Sequence, residues 1–119
     1  MSPDLQKLSD EDFCYLTTTG RISGRPHTIE IWFAIHEQTL YMLSGGQDKS
    51  HWVKNALQNS TVQLKINSSK FTGTARLVTS TEEDALARTI VFEKYTPRSS
   101  DDLVEWSRTS LPIAVDISR

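Results

Sequence analysis

The segment GRISGRPH, residues 20–27, gathers several anion-binding groups in a short loop between two apolar runs. Arginine offers a planar fork of N–H donors that suits phosphate, and glycine lets an anion come close to backbone N–H groups. The polar candidates are Arg21, Ser23, Arg25 and His27. The same segment also fits a simple turn, because Gly20 and Gly24 tolerate unusual backbone angles and Pro26 fixes the exit from the loop. Both interpretations stay open at this point.

A second segment, LSGGQDKSHWVKN at residues 43–55, combines a strand end, a glycine pair and a helix start. The first turn of a helix exposes free backbone N–H groups, which attract an anion or the polar edge of a ring. Lys49 would add a positive charge there. In the simpler interpretation, Asp48 caps the helix and Gly45–Gly46 only connect the two elements.

Residues typical of other chemistries are scattered along the chain. The single cysteine, Cys14, lies in an apolar run and is expected in the core. His27, His36 and His51 have no spacing typical of a zinc site, so we expect no metal. The acidic residues around Glu83 fit the first turn of a helix, where they suit the helix dipole, and not a catalytic carboxylate pair.

Length, composition and charge narrow the function classes. The chain has 119 residues, which fits one domain spanning 1–119. A net charge of -2 and a pI of about 5.9 argue against a nucleic-acid-binding surface. No apolar run approaches the roughly 20 residues that span a bilayer, and the polar N-terminal segment does not resemble a signal peptide. We expect a cytoplasmic protein without an integral membrane segment.

Strands and helices must hold the two polar segments in place. The hydrophobic periodicity of the sequence predicts where these elements lie. Ser80 with Glu83 forms a capping box that opens one helix. The predicted strands are 13–19, 27–35, 40–44, 61–67, 70–79 and 113–117, and the predicted helices are a short helix or arm at 3–12, then 48–59, 80–95 and about 101–108. Six antiparallel strands with one polar face rarely stay open, so we predict an α+β fold closed into a small barrel.

Taken together, the two segments resemble a known family. TTTGRISGRPHTIEIWF followed by LSGGQDKSHWVKNAL is similar to the deazaflavin-dependent nitroreductases, and FTGTARLVT and LPIAVDI extend the resemblance over nearly the whole chain. The family implies a six-stranded antiparallel split β-barrel with flanking helices, related to FMN-binding pyridoxamine-phosphate-oxidase-like proteins. It also implies the cofactor coenzyme F-420, an 8-hydroxy-5-deazaflavin, whose reduced form passes a hydride to a quinone, a nitro compound or an activated alkene.

The resemblance also implies roles for individual residues. One set matches the loop that holds the cofactor phosphate, a second lines the deazaflavin ring, and a third lies at the helix start beside it. These sets are Arg21, Ser23, Gly24, Arg25 and Pro26, with His27 as a further phosphate contact; Ser44, Gly45 and Gly46; and Lys49, Trp52 and Asn55. The polyglutamate tail of the cofactor makes local cations important even though the net charge is negative.

Tyr95 is the candidate catalytic residue. It lies in KYTPRSSDDL, which resembles the tyrosine-bearing cover of the family's substrate pocket, and it would donate a proton or position the acceptor. The alternatives are that Tyr95 packs against the barrel and that solvent supplies the proton. Trp32, on the polar face of its strand, would line a cofactor site or an oligomer interface.

Two positions depart from the family pattern. Relatives often carry Lys where this chain has Ile22 and Arg where it has His27, so two positive charges are absent from the phosphate loop. This departure leaves FMN as an alternative cofactor, with an FMN-binding reductase or a non-catalytic flavin-binding protein as alternative functions. The expected partners are a small-molecule electron acceptor and a second copy of the chain in a homodimer.

Overall fold

In the computed structural model, which describes residues 5–118, a single antiparallel sheet is flanked by four α-helices. The strands are β1 (Cys14–Thr19), β2 (Pro26–Ile31), β3 (Ala34–His36), β4 (Thr39–Ser44), β5 (Thr61–Ile66), β6 (Ser69–Leu77) and β7 (Leu111–Ile117). The helices are α1 (Leu5–Leu8), α2 (His51–Gln58), α3 (Thr81–Tyr95) and α4 (Val104–Thr109), with short 3₁₀ turns at Gln47–Lys49 and Thr96–Arg98. The start of the predicted arm at 3–12 and the two chain ends of the predicted domain lie outside the described residues.

The strands lie in the order β2-β1-β5-β6-β7-β4-β3, and the ladders between neighbours are antiparallel. The two outermost strands, β2 and β3, follow each other in sequence, so the sheet curls until its ends are joined by Trp32 and Phe33. This arrangement confirms the predicted α+β split β-barrel with flanking helices.

The structure has seven strands because the predicted strand 27–35 breaks at Trp32 and Phe33. The Phe33 side chain is fully buried, and its backbone finds partners outside the sheet. Its N–H donates to Tyr95 Oη at 3.0 Å, and its carbonyl accepts from Lys94 Nζ at 2.9 Å. At this break between β2 and β3, side-chain hydrogen bonds thus replace the backbone hydrogen bonds of the sheet. A local sequence pattern does not reveal such a replacement.

The barrel interior is filled by the inward-facing residues of the strands. Alternation is clear on β5, where Val62, Leu64 and Ile66 are buried and the residues between them are exposed. Cys14 belongs to this core, as predicted, and burial raises the pKa of its thiol to about 12, which makes it unreactive at neutral pH. Val53 and Ala56 attach α2 to the same core.

Helix α3 packs on the outside of the barrel and is fixed by a charged network at its first turn. Ser80 caps the helix as predicted, accepting a hydrogen bond from the N–H of Glu83. The Glu83 carboxylate binds the Arg76 guanidinium through two bonds of 2.7 Å and accepts from Tyr41 Oη at 2.6 Å. Arg76 also binds Asp116. These contacts, first those from Arg76, lower the pKa of Glu83 to about 2.

We predict that Glu83→Gln lowers the free energy of unfolding at pH 7 by about 1–2 kcal/mol, since it weakens charge-assisted bonds to a partly exposed Arg76. The folded pKa lies below the ordinary value of 4.5, so the contribution is complete above that pH and is lost as the pH falls toward 2. Urea unfolding at several pH values measures it, with the exposed neighbour Glu82→Gln as control. A deficit independent of pH would contradict the assignment.

Candidate functional site

The loop between β1 and β2 is closed by its own backbone. Gly20 N–H donates to the carbonyl of Arg25 at 2.8 Å, and Gly24 N–H donates to the carbonyl of Gly20 at 2.9 Å. Gly24 has a φ of +71°, in the left-handed region that favours glycine. A Cβ on Gly20 would lie 2.6 Å from both Ser23 Oγ and His27 Nε2, so a side chain here would displace those two side chains.

A cavity of about 510 Å³ lies between this loop, the β1–β2 hairpin and α2. Its volume falls in the range of small-molecule sites. It is lined by Thr18, Gly20, Arg21, Ile22, Ser23, His27, Thr28, Ile29, His51, Trp52 and Asn55. In the described part of the chain this lining includes no carboxylate, and it combines hydrogen-bond donors with an aromatic and aliphatic wall. The arrangement suits a ligand with an anionic group and a planar ring.

Arg21 is held in place by two residues of α2. Asn55 Oδ1 accepts from the backbone N–H of Arg21 at 3.2 Å and from its Nη1 at 2.8 Å. Arg21 Nη2 lies 3.2 Å from His51 Nδ1, which must be the acceptor because a guanidinium can only donate. His51 and Asn55 are four residues apart and so share one face of the helix. Both partners are neutral acceptors, so the positive charge of Arg21 is not cancelled.

Three other described arginines bind carboxylates instead. Arg88 Nε donates to Asp84 at 2.6 Å. Its Nη1 donates to the backbone carbonyls of Ser107 and Ser110 at the end of α4. Arg98 binds Asp10 and Asp12, and Arg76 binds Glu83 and Asp116. Arg21 therefore differs from these three arginines in keeping an uncompensated charge at a cavity wall.

Ser23 and His27 complete the polar side of the cavity. Ser23 Oγ lies 3.3 Å from His27 Nε2 and accepts from the backbone N–H of Arg25 at 3.2 Å. Ile22 is 91% exposed at the rim. Trp52 and Ile29, both half-buried, supply the apolar side.

The structure divides the sequence-predicted site residues into two groups. Arg21, Ser23, His27, Trp52 and Asn55 meet at the cavity. The remaining cofactor-binding candidates do not line it: Gly24, Arg25, Pro26, Ser44, Gly45, Gly46 and Lys49.

The segment Ser44–Gly46 instead packs at the start of α2. Ser44 Oγ donates to the carbonyl of Gln47 at 2.9 Å and lies 3.0 Å from Ser50 Oγ. The α-helix begins at His51 with Ser50 at the N-cap position, so the expectation that Asp48 caps it is wrong. Asp48 lies within the preceding 3₁₀ turn, Gln47–Lys49, whereas the sequence predicts it as part of the helix 48–59.

Tyr95 lies in the protein interior and not at the cavity. Its side chain is 1% exposed and stacks on Trp32, with ring centroids 4.2 Å apart and planes nearly parallel. Its hydroxyl accepts from Phe33 N–H and lies 2.8 Å from the carbonyl of Asp12, to which it donates. Burial raises the pKa of Tyr95 well above its ordinary value. The geometry supports the alternative that Tyr95 packs against the barrel and gives no support to a proton-donor role.

Sequence reasoning missed several cavity residues, among them Thr18, His51 and Ile29. The sequence pattern assigns His51 to no binding site, yet it meets Arg21 across 30 positions of the chain. The only available signal was its place four residues before Asn55, which puts both side chains on one helical face.

Comparison with known proteins now identifies the class. Residues 4–118 match the family described as F420H(2)-dependent quinone reductase, and the chain belongs to that family. Coenzyme F-420 is therefore its cofactor, and the protein is an oxidoreductase on a split-barrel fold. No curated protein matches.

Solved structures share the fold. One is described as "F420-H2 Dependent Reductase (FDR-A)" (20% identity over 90% of this chain and 94% of that one, TM-score 0.65). An FAD-binding protein from Mesorhizobium loti is 12% identical, over 97% of this chain and 85% of its own, with a TM-score of 0.71. A structure described as a domain-swapped dimer is 22% identical, over 87% and 79%, with a TM-score of 0.70.

The cavity residues fit this cofactor. Its phosphate and glutamate tail need N–H and O–H donors, which Arg21, Ser23 and His27 present at a wall without carboxylates. Its planar ring needs an apolar surface, which Trp52 offers. Because Gly20 has no side chain, the loop backbone can lie close to the His27 side chain.

We predict that Tyr95→Phe lowers the free energy of unfolding by about 1–3 kcal/mol, because the buried N–H of Phe33 loses its acceptor. The rate of acceptor reduction by the folded variant should stay within about twofold of the wild type at saturating substrate. Urea unfolding and steady-state kinetics measure the two effects separately. A large fall in kcat with unchanged stability would restore the catalytic assignment.

Proposed function

We propose that this protein reduces a small-molecule electron acceptor by hydride transfer from reduced F-420 bound between the β1–β2 loop and α2. The observation that carries the proposal is the Arg21 guanidinium, held at the cavity wall by neutral Asn55 and His51. A cation fixed in this way, with donors left over, is suited to an anionic cofactor. The proposed acceptors are a quinone, a nitro compound or an activated alkene.

The residues of the chain bind and orient the cofactor, because the cofactor itself carries the hydride that is transferred. Arg21, Ser23 and His27 hold the phosphate-bearing part, and Trp52 packs against the ring. The exposed cations Arg25 and Lys49 lie outside the cavity wall, where they attract the glutamate tail. Gly24 and Pro26 shape the loop. Ser44, Gly45 and Gly46 lie outside the cavity lining, so in this proposal they contact only a part of the ring that extends beyond the cavity.

The proton that completes acceptor reduction comes from solvent in this proposal. Tyr95 is buried and its hydroxyl is occupied by backbone groups of Phe33 and Asp12. The cavity itself is bounded by loop residues that are exposed, including Ser23 and His27. Water therefore reaches the acceptor without a dedicated donor.

The proposal also covers the oligomeric state of the protein and the cell compartment in which it works. Phe13, just before β1, and Tyr15, on the outer face of β1, form an edge-to-face pair, and each is about two-fifths exposed. Such an aromatic patch suits burial against a second copy, and one structure of similar fold is a domain-swapped dimer. We propose a homodimer that works in the cytoplasm. Within the described residues no helix is long and apolar enough to cross a membrane.

FMN is the second candidate ligand, and one observation favours it. By the family resemblance, Ile22 and His27 stand where Lys and Arg are expected, and Ile22 projects into solvent at the rim. A ligand with one phosphate and no glutamate tail needs fewer cations than F-420 does. An FMN-dependent reductase or a non-catalytic flavin-binding protein would then share this cavity.

Parallel fluorescence titrations with F-420 and FMN test the proposal. We expect a dissociation constant in the micromolar range or below for F-420 and binding at least tenfold weaker for FMN. Steady-state oxidation of reduced F-420 with menadione and with a nitroimidazole then separates an enzyme from a carrier. Tight FMN binding without F-420 binding would contradict the proposal.

Substitution of Arg21 tests the anchored cation. Arg21→Ala should weaken F-420 binding at least tenfold, because charge-assisted hydrogen bonds contribute roughly 1.5–3 kcal/mol each. Arg25→Ala, outside the cavity wall, should have a smaller effect, and the exposed Arg108→Ala on α4 controls for net charge. Equal affinities for all three variants would place the cofactor elsewhere.

A further inference from the structure

Thr18 is the last inward-facing residue of β1. The strand alternates, with Cys14, Leu16 and Thr18 buried and the residues between them more exposed. The first two are apolar core residues, whereas Thr18 places a hydroxyl on the same face, where the core gives way to the cavity. The side chain of Thr18 thus belongs both to the barrel interior and to the cavity wall.

The hydroxyl of Thr18 has no hydrogen-bond partner among the residues that the structure describes. The residue is only 2% exposed, so water does not surround it. An unpaired buried hydroxyl costs free energy, and valine would fill the same space on a β-strand without that cost. The presence of threonine at this position is explained if a bound ligand supplies the missing hydrogen-bond partner.

The neighbours of Thr18 indicate what that partner is. His27 lies directly opposite Thr18 in the β1–β2 ladder, and Arg21 follows three residues later at the same wall. Both present donors to the cavity, where no carboxylate lies within the described lining. A group surrounded by donors is an acceptor, so the Thr18 hydroxyl donates to it.

We propose that the Thr18 hydroxyl donates a hydrogen bond to an oxygen of the bound cofactor, at the end held by Arg21 and His27. This inference rests on the proposed function of the cavity. Thr18 is then a binding residue whose unpaired state lowers the stability of the free protein and is relieved when the cofactor binds.

Thr18→Val tests the inference through two readouts with opposite signs. The variant removes the hydroxyl and keeps the shape, so the Tm of the cofactor-free protein should stay the same or rise. The dissociation constant for F-420 should rise about tenfold, as expected for the loss of one hydrogen bond to a charged group. Thr19→Val is the matched control: it makes the same change one residue later on the exposed face, and should alter neither quantity.

Thr18→Ser separates the hydroxyl from the packing of the methyl group. It keeps the donor and leaves a small void, so the Tm should fall while the affinity for F-420 stays within about threefold of the wild type. An unchanged affinity in Thr18→Val would overturn the inference. A lower Tm of cofactor-free Thr18→Val would also overturn it, because the hydroxyl would then have a partner before binding.

These failures differ from failure of the proposed function. If the wild type binds F-420 and Arg21→Ala loses affinity while Thr18→Val does not, only the role of Thr18 is wrong. If wild-type protein does not bind F-420, the proposed function is wrong, and the inference falls with it.

Discussion

At Phe33 the chain leaves one end of the sheet and enters the other, and the curled barrel depends on how its backbone is satisfied there. The N–H donates to Tyr95 and the carbonyl accepts from Lys94, both at the end of α3. The Lys94 ammonium also lies 3.7 Å from the centre of the Phe33 ring, and burial lowers its pKa to about 8. The long helix thus supplies, at the point where the sheet closes on itself, bonds that no neighbouring strand can give.

The cavity is a consequence of that closure. Its polar wall comes from the hairpin loop and its other wall from α2, whose buried residues Val53 and Ala56 fix it to the core. The contact between Arg21 and Asn55 joins the two walls across 34 positions. Because the elements are held by the barrel core, the loop presents its donors in a fixed arrangement before a ligand arrives, which lowers the entropic cost of binding.

Charge distribution explains how a protein with a net charge of -2 offers a site for an anionic cofactor. Carboxylates are paired with arginines at structural positions: Glu83 and Asp116 with Arg76, Asp84 with Arg88, and Asp10 and Asp12 with Arg98. At the cavity the arginine is held by an amide and an imidazole instead. Local potential at a site depends on such arrangements and not on the sum of charges.

The sequence by itself determined most strands and the capped start of α3, because these follow from local patterns: alternation on β5 and the Ser80–Glu83 pair. The GRISGRPH and LSGGQDKSHWVKN segments carried the resemblance that implied the family and its cofactor. Tertiary structure decided the break at Trp32 and Phe33, the interior position of Tyr95 and the meeting of His51 with Arg21. Each of these rests on partners 30 to 83 positions apart. Local periodicity carries no information about such pairs, since packing of the whole barrel chooses them.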